Sequence, residues 1–179
     1  KDAYGRKEQS MKRGGSGNMY FKASIAAVVL AASCLVAAAG VGKGDSFPAL
    51  SGKGLEGPVP NLSGNVVLVD FWASWCGPCK KSFPALERLQ KTYGSRGFMI
   101  VAVSVDEEAE AMEGFLESHP VSFNVVRDAE QKLVAETGVE AMPTSFLIRR
   151  DGKVAAVHLG FDSAKTEKEL AAEIERLLK

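Results

Sequence analysis

Cysteine and histidine are scarce in this chain of 179 residues, which has three cysteines and two histidines. Three cysteines are too few for a scaffold stapled by disulfides. A structural zinc site needs about four ligands, and a cysteine pair could be joined here only by Cys34, His119 and His158. The two histidines are far apart in the sequence and lack the spacing of zinc ligands, so a zinc site is disfavoured.

An excess of charge of either sign is also missing. The chain has 22 Lys and Arg residues and 22 Asp and Glu residues, so its formal net charge is zero. It therefore has no basic field that would favour nucleic acid as a partner. The hydrophobic content of 46% and the charged content of 25% are those of an ordinary globular protein.

The N-terminal part differs in composition from the rest of the chain. Residues 1–10 are polar, and we treat them as an upstream extension. Residues 11–22 are polar and basic, whereas residues 23–41 are uncharged and end in small side chains. This order predicts a signal peptide or an N-terminal membrane anchor over residues 11–44, with 23–41 as the tether if it is retained. A lipoprotein site at Cys34 is a weaker alternative.

The most informative segment is an apolar run that leads into two cysteines. Residues 66–71 form a nearly continuous Val/Leu stretch, as in a strand that is buried on both faces. Pro78 suits the first turn of a helix, which places Cys76 at the helix N-terminus, where free N–H groups favour a thiolate. Cys79 follows one turn later on the same face, close enough for a disulfide with Cys76.

Two other uses of this cysteine pair stay open at this point. Zinc sites use the same Cys-x-x-Cys spacing. The pair could also be a purely structural disulfide, although its loop is too short to constrain the unfolded chain much.

Apolar periodicity and turn residues predict an α/β protein with helices on both faces of a sheet. The predicted strands span residues 66–71, 98–105, 121–126, 144–148 and 154–159, and the predicted helices span 77–93, 107–118, 128–138 and 166–178. The last two strands are joined around Asp151-Gly152, which is typical of a hairpin.

Finer details are also predicted. Residues 47–50 and 59–62 are candidate edge strands, because their prolines exclude central positions. Asp106 should cap the second helix, and the core face of that helix should consist of Ala109, Met112 and Leu116. Thr166-x-x-Glu169 matches the capping box of the final helix.

With these motifs in order, the chain resembles the thioredoxin-fold proteins. Residues 69–80 match the active-site run of thioredoxin almost residue by residue, and Pro84 matches the proline inside the active-site helix. Met142-Pro143-Thr144 is similar to the cis-proline loop of that family, and residues 151–154 are similar to its hairpin. The resemblance covers residues 45–179, which we take as one thioredoxin-like domain.

An extra helix and strand at about 107–126 lengthen the chain relative to thioredoxin. This insertion resembles the TlpA/ResA type of envelope thioredoxin-like proteins, some of which serve cytochrome c maturation. ResA-type sequences place glutamate at the position of Ser82 and often asparagine at that of Asp70, so this chain departs from them at both positions.

The resemblance implies roles for particular residues. Cys76 would be the nucleophile, Cys79 the resolving cysteine of a Cys76–Cys79 disulfide, and Asp70 the proton acceptor, because burial of its carboxyl would raise its pKa. The expected substrate-binding residues are Trp75, Gly77, Pro78, Met142 and Pro143. No cofactor and no metal are expected.

The predicted function is that of an exported thiol–disulfide oxidoreductase, periplasmic or anchored to the membrane on its extracytoplasmic side. It would reduce the disulfides of envelope proteins, and a membrane thiol reductase would supply its electrons. The alternatives are an oxidase or isomerase of exported proteins and a non-catalytic adaptor with a thioredoxin fold. A peroxidase of the peroxiredoxin type is disfavoured, since its Thr-x-x-Cys site would need threonine where Ala73 stands.

Overall fold

The computed structural model describes residues 40–179. The upstream extension, Cys34, all but residues 40–41 of the tether and nearly all of the predicted signal peptide or anchor therefore lie outside the described residues. Within residues 40–179, the structure contains no helix that is both long enough and apolar enough to cross a membrane.

Five strands and four α-helices, with a short 3₁₀ helix (Gly94–Arg96) after the first α-helix, make up the described fold. In chain order they are β1 (Val66–Trp72), α1 (Gly77–Tyr93), β2 (Phe98–Ser104), α2 (Ala109–Ser118), β3 (Asn124–Arg127), α3 (Lys132–Thr137), β4 (Thr144–Ile148), β5 (Val154–Leu159) and α4 (Thr166–Leu177). The strands form one sheet in the order β3-β2-β1-β4-β5. β3, β2 and β1 are parallel, whereas β4 is antiparallel to β1 and β5 is antiparallel to β4.

The sheet is mixed because its two halves have different connections. β1, β2 and β3 are neighbours in the sheet in chain order, and α1 and α2 are the crossovers between them. Because such crossovers are right-handed, both helices lie on the same face of the sheet. The rings of Trp72, Phe83 and Phe115 meet on that face, with centroids 4.6 Å apart for Trp72–Phe83 and 5.0 Å for Phe83–Phe115. β1 is buried along its whole length, as its Val/Leu run predicts.

The segment before β1 is a strap rather than a pair of edge strands. We use "strap" for residues 40–62. The strands predicted at 47–50 and 59–62 do not form; the strap pairs only through isolated bridges, Ser46 with Lys153 and Glu56 with Arg127. Prolines within both segments lack the N–H that would extend the pairing.

The strap begins against the end of α3. Gly138 ends this helix in the left-handed region with φ of 69°, and a Cβ at this position would lie 2.5 Å from the Cα of Gly40. The absence of both side chains lets Val41 N–H donate to Thr137 O at 3.0 Å. Glycine is therefore required on both sides of this contact.

Two predictions about helix ends are wrong. Asp106 does not cap α2, whose N-cap is Glu108 without a side-chain hydrogen bond, because the Asp106 carboxylate is bound elsewhere. The Thr166-x-x-Glu169 capping box does not form either. Thr166 is the first helical residue of α4, and its hydroxyl instead accepts the N–H of Asp162 at 3.0 Å.

The core face of α2 differs from its prediction as well. The buried residue of this helix is Phe115, whereas Ala109, Met112 and Leu116 are only half-buried beside it. The ring of Phe115 packs against Trp72 of β1 and Phe83 of α1. This contact sets the rotation of α2 about its axis, so that Phe115 is the residue that faces the core. β3 starts later than predicted, at Asn124, and residues 121–123 precede it as a loop.

Candidate active site

The candidate site lies where β1 ends. The parallel register places Trp72 of β1 opposite Ser104 of β2, and the antiparallel register places Phe71 opposite Thr144 of β4. The chain that leaves β1 and the loop that enters β4 therefore meet at the same edge of the sheet. Sheet pairing, rather than proximity in sequence, brings Cys76 next to Pro143.

Cys76 and Cys79 form a disulfide, with an S–S distance of 2.04 Å and a Cα–Cα distance of 5.3 Å. Cys76 is the N-cap of α1, and its Sγ accepts the backbone N–H of Cys79 at 3.2 Å. When the disulfide opens, this N–H and the positive end of the helix stabilise a thiolate on Cys76.

The two sulfurs differ in their access to solvent. Cys76 is 6% exposed, whereas Cys79 is completely buried. A macromolecular disulfide can therefore approach Cys76 and not Cys79. Gly77 and Pro78 are exposed beside the pair, and Trp75 is 69% exposed. These side chains form the rim of the site.

The loop before β4 forms the other side of the site. The Met142–Pro143 peptide bond is cis, Pro143 is buried, and Met142 is half-buried. The carbonyl oxygen of Met142 lies 3.7 Å from the Sγ of Cys76. A groove of about 350 Å³ begins at Met142 and is lined chiefly by apolar side chains, among them Val105, Val134 and Val139.

Asp70 lies on β1, two residues before the end of that strand, and is 1% exposed. Burial raises the pKa of its carboxyl from 3.8 to about 7, and a hydrogen bond from Ser145 partly opposes that rise. The Ser145 hydroxyl donates to Oδ1 of Asp70 at 2.5 Å. Among the described residues, the second oxygen, Oδ2, has no hydrogen-bond partner. A carboxyl with a pKa near 7 can take up and release a proton at neutral pH.

Sequence reasoning missed a second buried carboxylate at this edge of the sheet. Asp106 is 2% exposed and accepts three kinds of hydrogen bond: from the Ser74 N–H, from the Ser74 hydroxyl at 2.8 Å, and from the Ser104 hydroxyl at 2.7 Å. It therefore ties the loop before Cys76 to the end of β2. An aspartate directly after a buried strand is the signal that could have indicated this role.

Two buried serines were also missed. Ser82 is 2% exposed, and its hydroxyl donates to the carbonyl of Cys79 at 2.8 Å. Ser145 lies in β4 between Thr144 and the apolar residues 146–148, and a buried hydroxyl in such a strand indicates a buried polar partner. That partner is Asp70, as described above.

The described residues contain no metal site, and the larger cavity of the fold lies away from the cysteine pair. Across residues 40–179, no group of three or more His, Cys, Asp or Glu side chains is arranged to hold a metal ion. A larger cavity, of about 840 Å³, lies between the strap and the β4–β5 turn, lined in part by Leu55, Ile148 and Arg150. It is at the far end of β4 from Pro143 and takes no part in the chemistry of the disulfide.

Comparison with known proteins assigns the family. Residues 43–174 match the Redoxin family. The chain belongs to the Redoxin family. Thiol-disulfide oxidoreductase ResA of Bacillus subtilis is 40% identical over 110 residues, and ResA of Bacillus thuringiensis strain Al Hakam is 38% identical over 111 residues. Each alignment covers 62% of this Redoxin chain, and 60% and 63% of the two relatives. The predicted ResA-type relationship is thereby confirmed.

Solved structures confirm the predicted thioredoxin-like fold. A Chlorobium tepidum protein assigned as thiol:disulfide interchange protein DsbE superimposes with a TM-score of 0.72 at 39% identity, covering 78% of this chain and 99% of that one. The thioredoxin domain of thiol-disulfide oxidoreductase BVU-2223 from Bacteroides vulgatus, 22% identical, superimposes with a TM-score of 0.64 over 78% and 99% of the two chains. The second likeness is one of fold alone.

Proposed function

We propose that this Redoxin-family protein is a thiol–disulfide oxidoreductase that reduces the disulfides of exported proteins. The observation that carries the proposal is the asymmetry of the Cys76–Cys79 pair. One sulfur lies at the helix N-terminus with a backbone N–H directed at it, and the other is buried one turn inside the helix. This arrangement gives the two cysteines different tasks.

Cys76 is the proposed nucleophile. Its thiolate attacks one sulfur of a substrate disulfide, a Cys76–substrate S–S bond forms, and the substrate S–S bond breaks to release a first substrate thiolate. Solvent protonates that thiolate. The product of this step is a mixed disulfide that lies at the exposed rim of the site.

Cys79 is the proposed resolving cysteine, and Asp70 is its proposed proton acceptor. The Asp70 carboxylate takes the proton of the Cys79 thiol, and the new thiolate attacks Sγ of Cys76. The Cys76–Cys79 bond forms, the bond to the substrate breaks, and the second substrate thiolate leaves. Two electrons have passed to the substrate, and the cysteine pair is oxidised.

Substrate binding is proposed for the surface around the pair. Trp75, Gly77 and Pro78 are exposed on one side of Cys76, and the cis loop of Met142 and Pro143 lies on the other. The apolar groove beside Met142 suits an aliphatic side chain of an extended peptide. The carbonyl of Met142 is available to the backbone of such a peptide.

The compartment and the partners follow from the proposed direction of electron flow. We propose that the protein works outside the cytoplasm, after export or while anchored through residues 23–41, on disulfide-containing envelope proteins. Because that compartment is oxidising, a membrane thiol reductase must return electrons to the pair. Cytochrome c maturation, which some envelope proteins of the TlpA/ResA type serve, is one process that needs such a reductant.

Insulin reduction tests the proposal directly. The reduced protein should precipitate insulin chains in the presence of dithiothreitol, and Cys76→Ser should abolish this activity because the nucleophile is lost. Cys79→Ser, reduced and then freed of dithiothreitol before insulin is added, should instead accumulate a mixed disulfide with insulin, visible on a non-reducing gel. Full activity in Cys76→Ser would refute the proposed mechanism.

A further inference from the structure

Ser145 is the one side chain in the described structure that donates a hydrogen bond to Asp70. The sheet register explains why: the strands on either side of Asp70 place Ala102 of β2 and Ser145 of β4 directly opposite it. Alanine has nothing to donate. The distance from the Ser145 hydroxyl to Oδ1 is 2.5 Å, which is at the short end for an O–H···O⁻ bond to a charged oxygen.

The two oxygens of Asp70 are therefore not equivalent. Oδ1 receives the Ser145 hydroxyl, whereas Oδ2 is buried without a partner among residues 40–179. A hydroxyl that donates to Oδ1 can keep this bond in both protonation states of the carboxyl, and the bond is stronger when the carboxyl is charged. Oδ2 is then the oxygen that gains and loses the proton.

We infer that Ser145 is a positioning residue for Asp70, whose hydroxyl orients the carboxyl, leaves Oδ2 as the proton-accepting oxygen and sets how readily that oxygen is protonated. The inference rests on the proposed function in so far as Asp70 accepts the proton of Cys79. A hydrogen bond to the charged form lowers the pKa of a carboxyl, and that is the direction in which Ser145 acts against the effect of burial.

Other titratable groups around Asp70 are few. On β5, His158 lies opposite Ser145, with its Nε2 2.8 Å from Oε2 of Glu173 on α4. Arg176 of α4 approaches Glu173 at 3.9 Å. The Cys76–Cys79 pair at the start of α1 does not titrate while it is oxidised. A measurement on the Asp70 carboxyl carbon of the oxidised protein separates Asp70 from all of these groups.

The test is an NMR titration of oxidised protein labelled with ¹³C at the aspartate carboxyl carbon. Asp70→Asn identifies the Asp70 signal, whose midpoint should be near pH 7 in the wild type. In Ser145→Ala the midpoint should rise by about 1 pH unit, a tenfold increase in proton affinity, because the bond to the charged form is lost. An unchanged midpoint would overturn the inference.

A matched pair of variants guards against a folding defect in Ser145→Ala. Ser145→Thr keeps the hydroxyl, and Ser145→Val has nearly the same shape as the threonine variant but lacks the hydroxyl. The threonine variant should titrate like the wild type and the valine variant should titrate higher, as the alanine variant does. Equal midpoints in the threonine and valine variants would contradict the role of the hydroxyl.

A kinetic measurement separates this inference from the proposed function. In a single turnover at pH 7, resolution of the mixed disulfide by Cys79 should be about fivefold slower in Ser145→Val than in Ser145→Thr, and the difference should vanish above about pH 9. If the midpoint moves but the rate does not, Ser145 still positions Asp70, and the proposal that Asp70 accepts the Cys79 proton fails.

Discussion

A carboxyl group on a buried strand destabilises the folded state unless it is neutral or paired with a cation. Among residues 40–179, Asp70 forms no ion pair with a cation; its one side-chain hydrogen bond comes from a neutral hydroxyl. The folded protein therefore holds on to the proton of Asp70 at pH values where the unfolded chain has released it. Its burial destabilises the folded state at neutral pH.

The pH dependence of stability should reveal this cost. Below about pH 4 the carboxyl is protonated in both states; between pH 4 and pH 7 only the folded state keeps the proton. The free energy of unfolding should fall by about 4 kcal/mol as the pH rises from 3.8 to about 7. Urea unfolding of the oxidised protein measures the slope, which Asp70→Asn should remove.

A surface carboxyl provides the control for this experiment. Glu140 is exposed, and Glu140→Gln should leave the slope in place. Persistence of the full slope in Asp70→Asn would show that another group is responsible for it.

Single residues were predicted best where their environment is local. Asp70 could be assigned to a buried position because its own strand is apolar on both sides of it. Its contact with Ser145 could not, because that contact depends on the antiparallel register of β1 and β4, 75 residues apart in the chain. The same holds for Asp106, whose partner Ser74 is 32 residues away.

Helix α2 packs on the rest of the fold mainly through one side chain, that of Phe115. Phe115 is its single buried residue, with its ring 5.1 Å from that of Trp72 and 5.0 Å from that of Phe83. The ring of His119 stacks on that of Phe115, with their centroids 4.3 Å apart. The rest of the helix contributes half-buried or exposed positions.

Truncation of Phe115 should consequently loosen α2 as a unit. Phe115→Ala should cost about 3–5 kcal/mol of unfolding free energy, as for other buried aromatic side chains. Hydrogen–deuterium exchange should show faster exchange throughout residues 109–118. Leu116→Ala, its half-buried neighbour, should cost clearly less, and an equal loss in both variants would contradict this account.

Elements with strong local signals were predicted closely. The bounds of α1, β4 and β5 agree with prediction, because a proline at a helix start and an Asp-Gly turn act over a few residues. The face of α2 was less predictable. Its orientation is set by aromatic rings of β1 and α1 rather than by its own periodicity.

Across the whole molecule, the strap connects parts of the fold that are distant in the sheet. It bridges the β4–β5 turn through Ser46 and the end of β3 through Glu56, and β3 and β5 are the two edge strands. Arg127 fixes the second bridge: its guanidinium binds Oε2 of Glu56 at 2.7 Å and donates to the carbonyl of Glu107 at 2.6 Å.

The two members of this ion pair should not be equally important. Glu56→Gln should cost less than about 1 kcal/mol, since its side chain is 54% exposed. Arg127→Met should cost about 1–3 kcal/mol, because the guanidinium also satisfies the carbonyls of Asp106 and Glu107. Urea unfolding of both variants measures the difference, and equal losses would assign the whole effect to the ion pair.

The two tryptophans of the chain stand in opposite environments, Trp75 at 69% exposure beside Cys76 and Trp72 fully buried beneath it. An aqueous collisional quencher such as iodide reaches the first indole and not the second. The quenchable fraction of the tryptophan fluorescence therefore reports on Trp75 alone. A peptide that covers the rim of the disulfide would lower that fraction, so docking at this face can be followed optically without a label.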